Sequence, residues 1–274
     1  MSTYVLIHGS WHGSWCWYKI IPRLQSAGHR VIAPDMPAHG RDWRSPGPIT
    51  MQDYVDTITR VLDEQDEPVV LVAHSRAGLQ ATQAAEARPR KIHTLVYLAA
   101  ILLPNGVGLM DWKDTESILW PNVDFNEQEG WDMIRPEIYR ESIYHDCSDE
   151  DVALAYRLLT PEPRGPNSPT NTPMQTTAEN FGSVPRVYIE LSQDRAISLP
   201  FQRRMYTATP CAFLLSIAAS HSAYFSQPDE LARNIMIASG DLGDQRKKAL
   251  DGARQNPVWP QRAAVSAALA APGQ

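Results

Sequence analysis

Ser75 stands between an apolar run, Leu71-Val72-Ala73-His74, and a helix-compatible one beginning Arg76-Ala77-Gly78. On a sharp strand-to-helix turn a serine hydroxyl is lifted clear of the sheet, and the next backbone N–H aims at the same point. Such a turn tolerates only small neighbours. The flanking positions here are Ala73 and Ala77, where the general Gly-x-Ser-x-Gly pattern has glycine. A methyl group is the smallest departure available, so the turn stays feasible but more crowded. A serine hydroxyl is a poor nucleophile near neutral pH and needs a base in hydrogen-bond reach, itself held by an acceptor. Asp194 lies just beyond the strand-like Arg186–Leu191, and His221 just beyond Ala212–Ile217. Both follow the serine in the order acid, then histidine, that this arrangement requires. Ser75, His221 and Asp194 are therefore the candidate catalytic residues, and the chemistry they could do is acyl transfer. Taken singly, the two partners read as a helix-terminal carboxylate and a polar loop histidine. Both falling behind an elbow is what favours the catalytic reading.

Acyl transfer also needs donors for a developing oxyanion. The Arg76 N–H is one, placed by the elbow. The loop after the first strand, His8-Gly9-Ser10-Trp11-His12-Gly13, supplies the other: Gly9 allows close backbone approach and the Ser10 N–H follows it. His8 and His12 sit four residues apart, which raises a metal reading. They fall in a strand-to-loop turn without an ordered Asp, Glu or Cys partner at ligand spacing, so no metal is expected. Two readings of the Arg76 side chain stay open: a guanidinium paired with a carboxylate beside the elbow, or one reaching the pocket to favour anionic or carbonyl-rich acyl groups. Arg76→Leu separates them, through equal losses across substrates or a changed preference. Trp112, Trp120 and Trp131 are candidate substrate-binding residues, at least one of them lining an apolar, aromatic-tolerant cavity. Trp11 and Trp17 read as packing.

The elements that must position these residues alternate along the chain. Tyr4–Ile7, Arg30–Ala33, Val69–Ala73, His93–Ala99, Arg186–Leu191 and Ala212–Ile217 read as strands. Between them lie helical stretches at Trp17–Ala27, from the Thr50 N-cap with its acidic partner Asp53 to about Gln65, at Arg76–Ala87, near Leu199–Thr207 and near Pro228–Ala238. Near-continuous apolar strands separated by helices indicate a doubly wound α/β fold with a mostly parallel sheet, its crevice at the strand carboxyl ends. From Ile101 to Ser183 the rhythm breaks into a stretch rich in Pro, Asn, Asp and Trp, with short amphipathic pieces such as Asp149–Leu159. We read residues 1–100 and 184–239 as the core, 101–183 as an inserted cap, and 240–274 as a poorly tethered tail.

Composition narrows the function classes. A chain of 274 residues, 43% hydrophobic, suits one large α/β domain with an insertion. The formal charge of −6 is interspersed, which argues against a nucleic-acid partner and offers no case for anionic membranes. No apolar run approaches the roughly 20 residues that span a bilayer; Thr94–Leu103 reads as a buried strand ending at Pro104. The start of the chain has no charged and apolar leader pattern. Three cysteines at unrelated spacings read as reduced thiols of a cytoplasmic protein. The oligomeric state is open, a homodimer included.

With these residues in view the chain resembles a known family. His8-Gly9-Ser10-Trp11-His12-Gly13-Ser14-Trp15-Cys16-Trp17, Ala27-Gly28-His29-Arg30-Val31 and Pro34-Asp35-Met36-Pro37-Ala38-His39-Gly40 resemble the plant methylesterase and hydroxynitrile lyase branch of the α/β-hydrolase superfamily. Pro185-Arg186-Val187-Tyr188-Ile189-Glu190 with Asp194, and Ala219-Ser220-His221-Ser222-Ala223-Tyr224-Phe225, are similar to bacterial pyrethroid-hydrolysing carboxylesterases. The likeness runs from Tyr4 to about Ile237 and is weakest in the cap. It implies a Ser75–His221–Asp194 triad, a core of about six strands without the first two of larger relatives, no cofactor, and a small-molecule ester as substrate. Lyases of this branch carry a threonine after the first-loop histidine and a lysine after the catalytic one; here those positions are Gly9 and Ser222. Without that cation departing cyanide has no stabiliser. His74 before the nucleophile is the esterase-like residue, so hydrolysis is favoured. The rivals are a hydroxynitrile lyase, a lactonase or amidase, and a receptor-like binder that retains the triad.

Overall fold

Six of the apolar runs become one parallel sheet. The computed structural model describes residues 1–254. Its strands are β1 (Thr3–Ile7), β2 (Arg30–Ile32), β3 (Val69–His74), β4 (Ile92–Leu98), β8 (Arg186–Leu191) and β9 (Phe213–Ile217), in the order β2-β1-β3-β4-β8-β9. Every residue of β3 is buried, as a strand covered on both faces requires. Alternation along β1 divides the interior in two: Tyr4 and Leu6 join Trp17, Val72, Phe213 and Ile235 on one face, while Val5 and Ile7 join Ile58, Leu71, Leu79 and Met205 on the other.

Helices α1 (Ile20–Ser26), α7 (Ala223–Ser226), α8 (Pro228–Ser239) and α9 (Gly243–Arg254) cover the first face, and α2 (Met51–Asp63), α3 (Ala77–Ala87) and α6 (Leu199–Ala208) the second. A reciprocal cap starts α2: the Thr50 hydroxyl accepts from Asp53 N–H at 3.3 Å, and the Asp53 carboxylate accepts from Thr50 N–H at 2.8 Å. The helix expected over Trp17–Ala27 starts later. Ser14–Trp17 forms a 3-10 turn that buries Cys16 and Trp17, and α1 follows it. The segment read as a loose tail is helical over α9, whose Ala249 and Leu250 pack against the core; residues 255–274 lie outside the described residues.

Between β4 and β8 the chain builds a separate layer. It contains a three-stranded antiparallel sheet, β5 (Val123–Asn126), β6 (Trp131–Ile134) and β7 (Glu162–Pro163), and helices α4 (Tyr139–Ile143) and α5 (Asp149–Leu158). The layer is tied to the core loops by backbone bonds: Thr160 N–H donates to Trp11 C=O at 2.8 Å, and Ile118 N–H to Arg195 C=O at 3.0 Å. Cys16, Cys147 and Cys211 are free and buried.

Candidate active site

The main sheet reverses its winding between β1 and β3, and loops leaving their carboxyl ends border the crevice that such a reversal opens. Ser75 follows β3 with φ of +58°, a left-handed conformation costly for any residue with a Cβ. Backbone bonds hold it there. Ser75 N–H donates to Leu98 C=O at 3.3 Å, and its own carbonyl accepts from Gly78 N–H at 3.1 Å and Ile101 N–H at 2.9 Å. A Cβ on Gly78 would collide with the Ile101 carbonyl, so the small residue that α3 needs for close approach sits one place beyond Ala77.

The partners arrive from the loops after β8 and β9. His221 Nε2 accepts from the Ser75 hydroxyl at 2.9 Å, and its Nδ1–H donates to Asp194 Oδ2 at 2.6 Å. The second Asp194 oxygen accepts from the N–H groups of Ala196 (2.7 Å) and Ile197 (2.9 Å), so the carboxylate is held at both ends. His74 lies behind the imidazole, donating from Nε2 to the His221 carbonyl at 2.9 Å. Burial, then the neighbouring His221, keeps His74 neutral by pushing its pKa well below the ordinary histidine value.

The β1 loop closes the other side. A Cβ on Gly9 would lie 2.8 Å from Ser75 Cβ and 3.0 Å from His74 Nδ1, so only glycine lets this loop pass so near the elbow. The Ser10 carbonyl accepts from His12 Nδ1–H at 2.7 Å; His12 Nε2 in turn accepts from the hydroxyls of Tyr144 (2.6 Å) and Tyr224 (3.0 Å). His8 donates to the Gly9 carbonyl and accepts from Met36 N–H at 3.0 Å. Both pairs of ring nitrogens are thus used in protein hydrogen bonds. Burial lowers His8 to about 4 and His12 to about 3, so both are neutral. No cluster of three or more His, Cys, Asp or Glu suited to a metal ion occurs among the described residues.

Ser10, Trp11, Ser75, Arg76 and His221 share a narrow chamber with Ile101, Leu109, Leu119, Trp120, Ala196 and Ile197. Its free volume is ≈ 20 Å³, room for about one water. Of the three cap tryptophans, Trp120 is in this wall. The other two stand elsewhere, which corrects their reading as substrate-binding residues. Trp112 packs edge-on against Phe201 with the Arg204 guanidinium over its ring, and Trp131 donates from Nε1 to Glu129 at the exposed side of β6. Trp11, read as packing, lines the chamber.

The Arg76 guanidinium does not reach for substrate. It is buried, with Nη1 and Nη2 each 3.2 Å from Asp132 oxygens and Nη1 donating to Thr170 Oγ1 at 2.7 Å. Beside it, Glu162 faces His39 Nε2 at 3.2 Å and accepts from Tyr54 OH at 2.8 Å. Burial would raise Glu162, but Arg76 and His39 outweigh it and hold the carboxyl far below its usual range. Burial likewise opposes protonation of His39, and Glu162 outweighs that too, leaving its pKa raised. Asp132, Glu162 and His39 went unread in the sequence. The contacts that join them to the elbow, the first loop and α2, and His39 to Glu162, span 56 to more than 100 positions, and only His39 falls in a quoted motif, Pro34 to Gly40, which does not reveal its partner.

The model of the alpha/beta hydrolase family matches residues 4–234. The chain belongs to that family. Among its hydrolase relatives, it is similar to methylesterase 9 of Arabidopsis thaliana, with 32% identity over 258 residues covering 86% of this chain and 97% of the relative. The crystal structure of an Arabidopsis methylesterase superposes with a TM-score of 0.78 at 25% identity, covering 88% of this chain and all of that one (100%). A pyrethroid hydrolase from Sphingobium faniae gives a TM-score of 0.73 at 23% identity, covering 89% of this chain and 99% of that one, a likeness of fold.

Proposed function

We propose that this chain is a serine carboxylic-ester hydrolase that works through an acyl-enzyme on small, uncharged apolar or aromatic esters. The observation that carries this reading is the unbroken relay from Asp194 through His221 to the Ser75 hydroxyl, with links of 2.6 and 2.9 Å. Ser75 Oγ attacks the ester carbonyl while His221 Nε2 takes its proton. Asp194 fixes the imidazole tautomer and stabilises the imidazolium. The N–H groups of Ser10 and Arg76 receive the oxyanion, the latter at the amino end of α3 where the helix dipole adds to the attraction. His221 protonates the departing alcohol, and water repeats the sequence to release the acid.

The lining of the chamber supports this substrate class. Its walls are apolar, and its nearest cation, Arg76, is already engaged by Asp132. An acyl group carrying a charge would find no partner there. The methylesterase names of the relatives point to methyl esters as the first compounds to try. Ser222 offers no cation for departing cyanide, so hydrolysis is favoured over cyanohydrin cleavage.

The test is repeated turnover of p-nitrophenyl acetate and butyrate, followed by methyl and aryl esters. Ser75→Ala should lower kcat by at least about 10⁴-fold. A single stoichiometric release of nitrophenol would instead identify a binder that retains the triad, and cyanide release from mandelonitrile would identify a lyase.

A further inference from the structure

Two carboxylates of the cap converge on Arg76 and on Trp11, the residue next to Ser10 in the first loop. Asp132 on β6 and Glu162 on β7 are directly opposed in the antiparallel register, and both are buried. Like charges side by side in a sheet repel, and burial adds to that cost, so something must face them. Besides His39 and Tyr54 on Glu162 and Arg164 at 3.5 Å from Asp132, what faces them is the first loop and the elbow. Asp132 Oδ1 accepts from Trp11 Nε1 at 2.9 Å, and the same carboxylate grips Arg76 at 3.2 Å through both terminal nitrogens. Glu162 Oε2 accepts from Trp11 N–H at 3.2 Å.

Trp11 follows Ser10 and has a φ of +63°, a conformation that strongly disfavours a bulky residue. Strain of this kind persists only where surrounding contacts over-determine it. Trp11 has three such contacts from the cap: Glu162 on its amide, Asp132 on its ring, and Thr160 N–H on its carbonyl at 2.8 Å. Arg76, the other donor residue, is tied by Asp132 and Thr170. One acidic pair therefore spans both halves of the oxyanion hole.

We propose that Asp132 and Glu162 are positioning residues, holding the Ser10 and Arg76 N–H groups at the spacing an oxyanion needs. This rests on the esterase reading above. Losing the Asp132 grip loosens both donors at once, and a misplacement of about 1 Å costs about 100-fold in rate. The loss falls on the transition state, because the ground-state carbonyl gains little from these donors.

The test uses the full chain and two variants, Asp132→Asn and the paired Arg76→Met/Asp132→Leu. The pair removes the Arg76 and Asp132 charges together, while Glu162 keeps His39 and Tyr54 as partners and Arg164, which also lies 3.5 Å from Asp132, is partly exposed. Steady-state hydrolysis of p-nitrophenyl acetate and butyrate is measured with inhibition by an aryl trifluoromethyl ketone, whose adduct with Ser75 carries an oxyanion. In both variants kcat should fall about 100-fold on both esters with KM within about threefold, and the ketone should weaken by the same factor as kcat/KM. The proposal is overturned if the paired variant keeps wild-type kcat, since the carboxylate then only secures the cap, or if losses appear in KM alone. Should Asp132→Asn not fold, the paired variant decides. A wild type that turns over neither ester defeats the esterase reading and this proposal with it; turnover by the wild type with kcat unmoved in the paired variant defeats this proposal alone.

Discussion

At the scale of single residues, the site separates groups that react from groups that hold them. Asp194 is of the second kind: one oxygen orients His221 and the other is anchored by two backbone N–H groups. Asp194→Asn keeps the shape but reverses the hydrogen-bond sense at Nδ1, favouring the wrong imidazole tautomer. We expect kcat to fall on the order of 10⁴-fold while the variant unfolds at the wild-type temperature. Steady-state kinetics beside thermal denaturation checks this, and a loss of stability matching the loss of rate would count against it. The triad was readable from sequence because each member lies within a few residues of a strand end, so strand order alone brought them together. The surroundings were not. Trp11 looks like packing until its left-handed backbone and its bond to a carboxylate 121 residues away are seen.

At the scale of elements, the core strands were readable because each is buried on both faces and reads as an unbroken apolar run. Boundaries moved by only a residue at β4, where Ile92 rather than His93 opens the strand. The cap sheet escaped notice for the opposite reason. Its strands have four, four and two residues, carry Asp, Asn, Glu and Pro, and the last of them pairs with β6 across α4 and α5. Neither period nor composition marks such a strand. The cap also sets how much room Ser75 has, and Trp120 is its largest side chain in the chamber wall. Trp120→Ala should enlarge the acyl side. Relative to acetate, kcat/KM for p-nitrophenyl octanoate is expected to rise about tenfold or more, as a methylene-scale change in an apolar pocket is worth that much. An unchanged chain-length profile would place the acyl group elsewhere.

At the scale of the whole molecule, buried histidines govern the response to acid. His8, His12 and His74 stay neutral when folded, with pKa values about 4, about 3 and well below the ordinary range. Unfolded, each takes a proton near 6.5. Below that pH the unfolded chain binds more protons than the native one, so stability falls as pH falls, by up to about 4 kcal/mol per pH unit for three groups. His39 has the opposite sign. Its raised pKa adds stability that is full below the ordinary value and lost as pH rises through the folded one. The urea midpoint should therefore peak close to neutrality and drop steeply by pH 5; a flat profile over that span contradicts the assignment of these three as neutral.

The sealed cysteines have a practical consequence. Burial pushes Cys211 up to about 12 and Cys16 well above its ordinary value, and Cys147 is raised in the same way. Thiolate is the form that alkylating reagents attack, so the native chain should resist iodoacetamide at pH 8 and release three reactive sulfurs on denaturation. Labelling under native conditions then times the opening of the molecule, and counting modified sulfurs by mass reveals which layer opens first: Cys147 reports the cap, Cys16 and Cys211 the two faces of the main sheet.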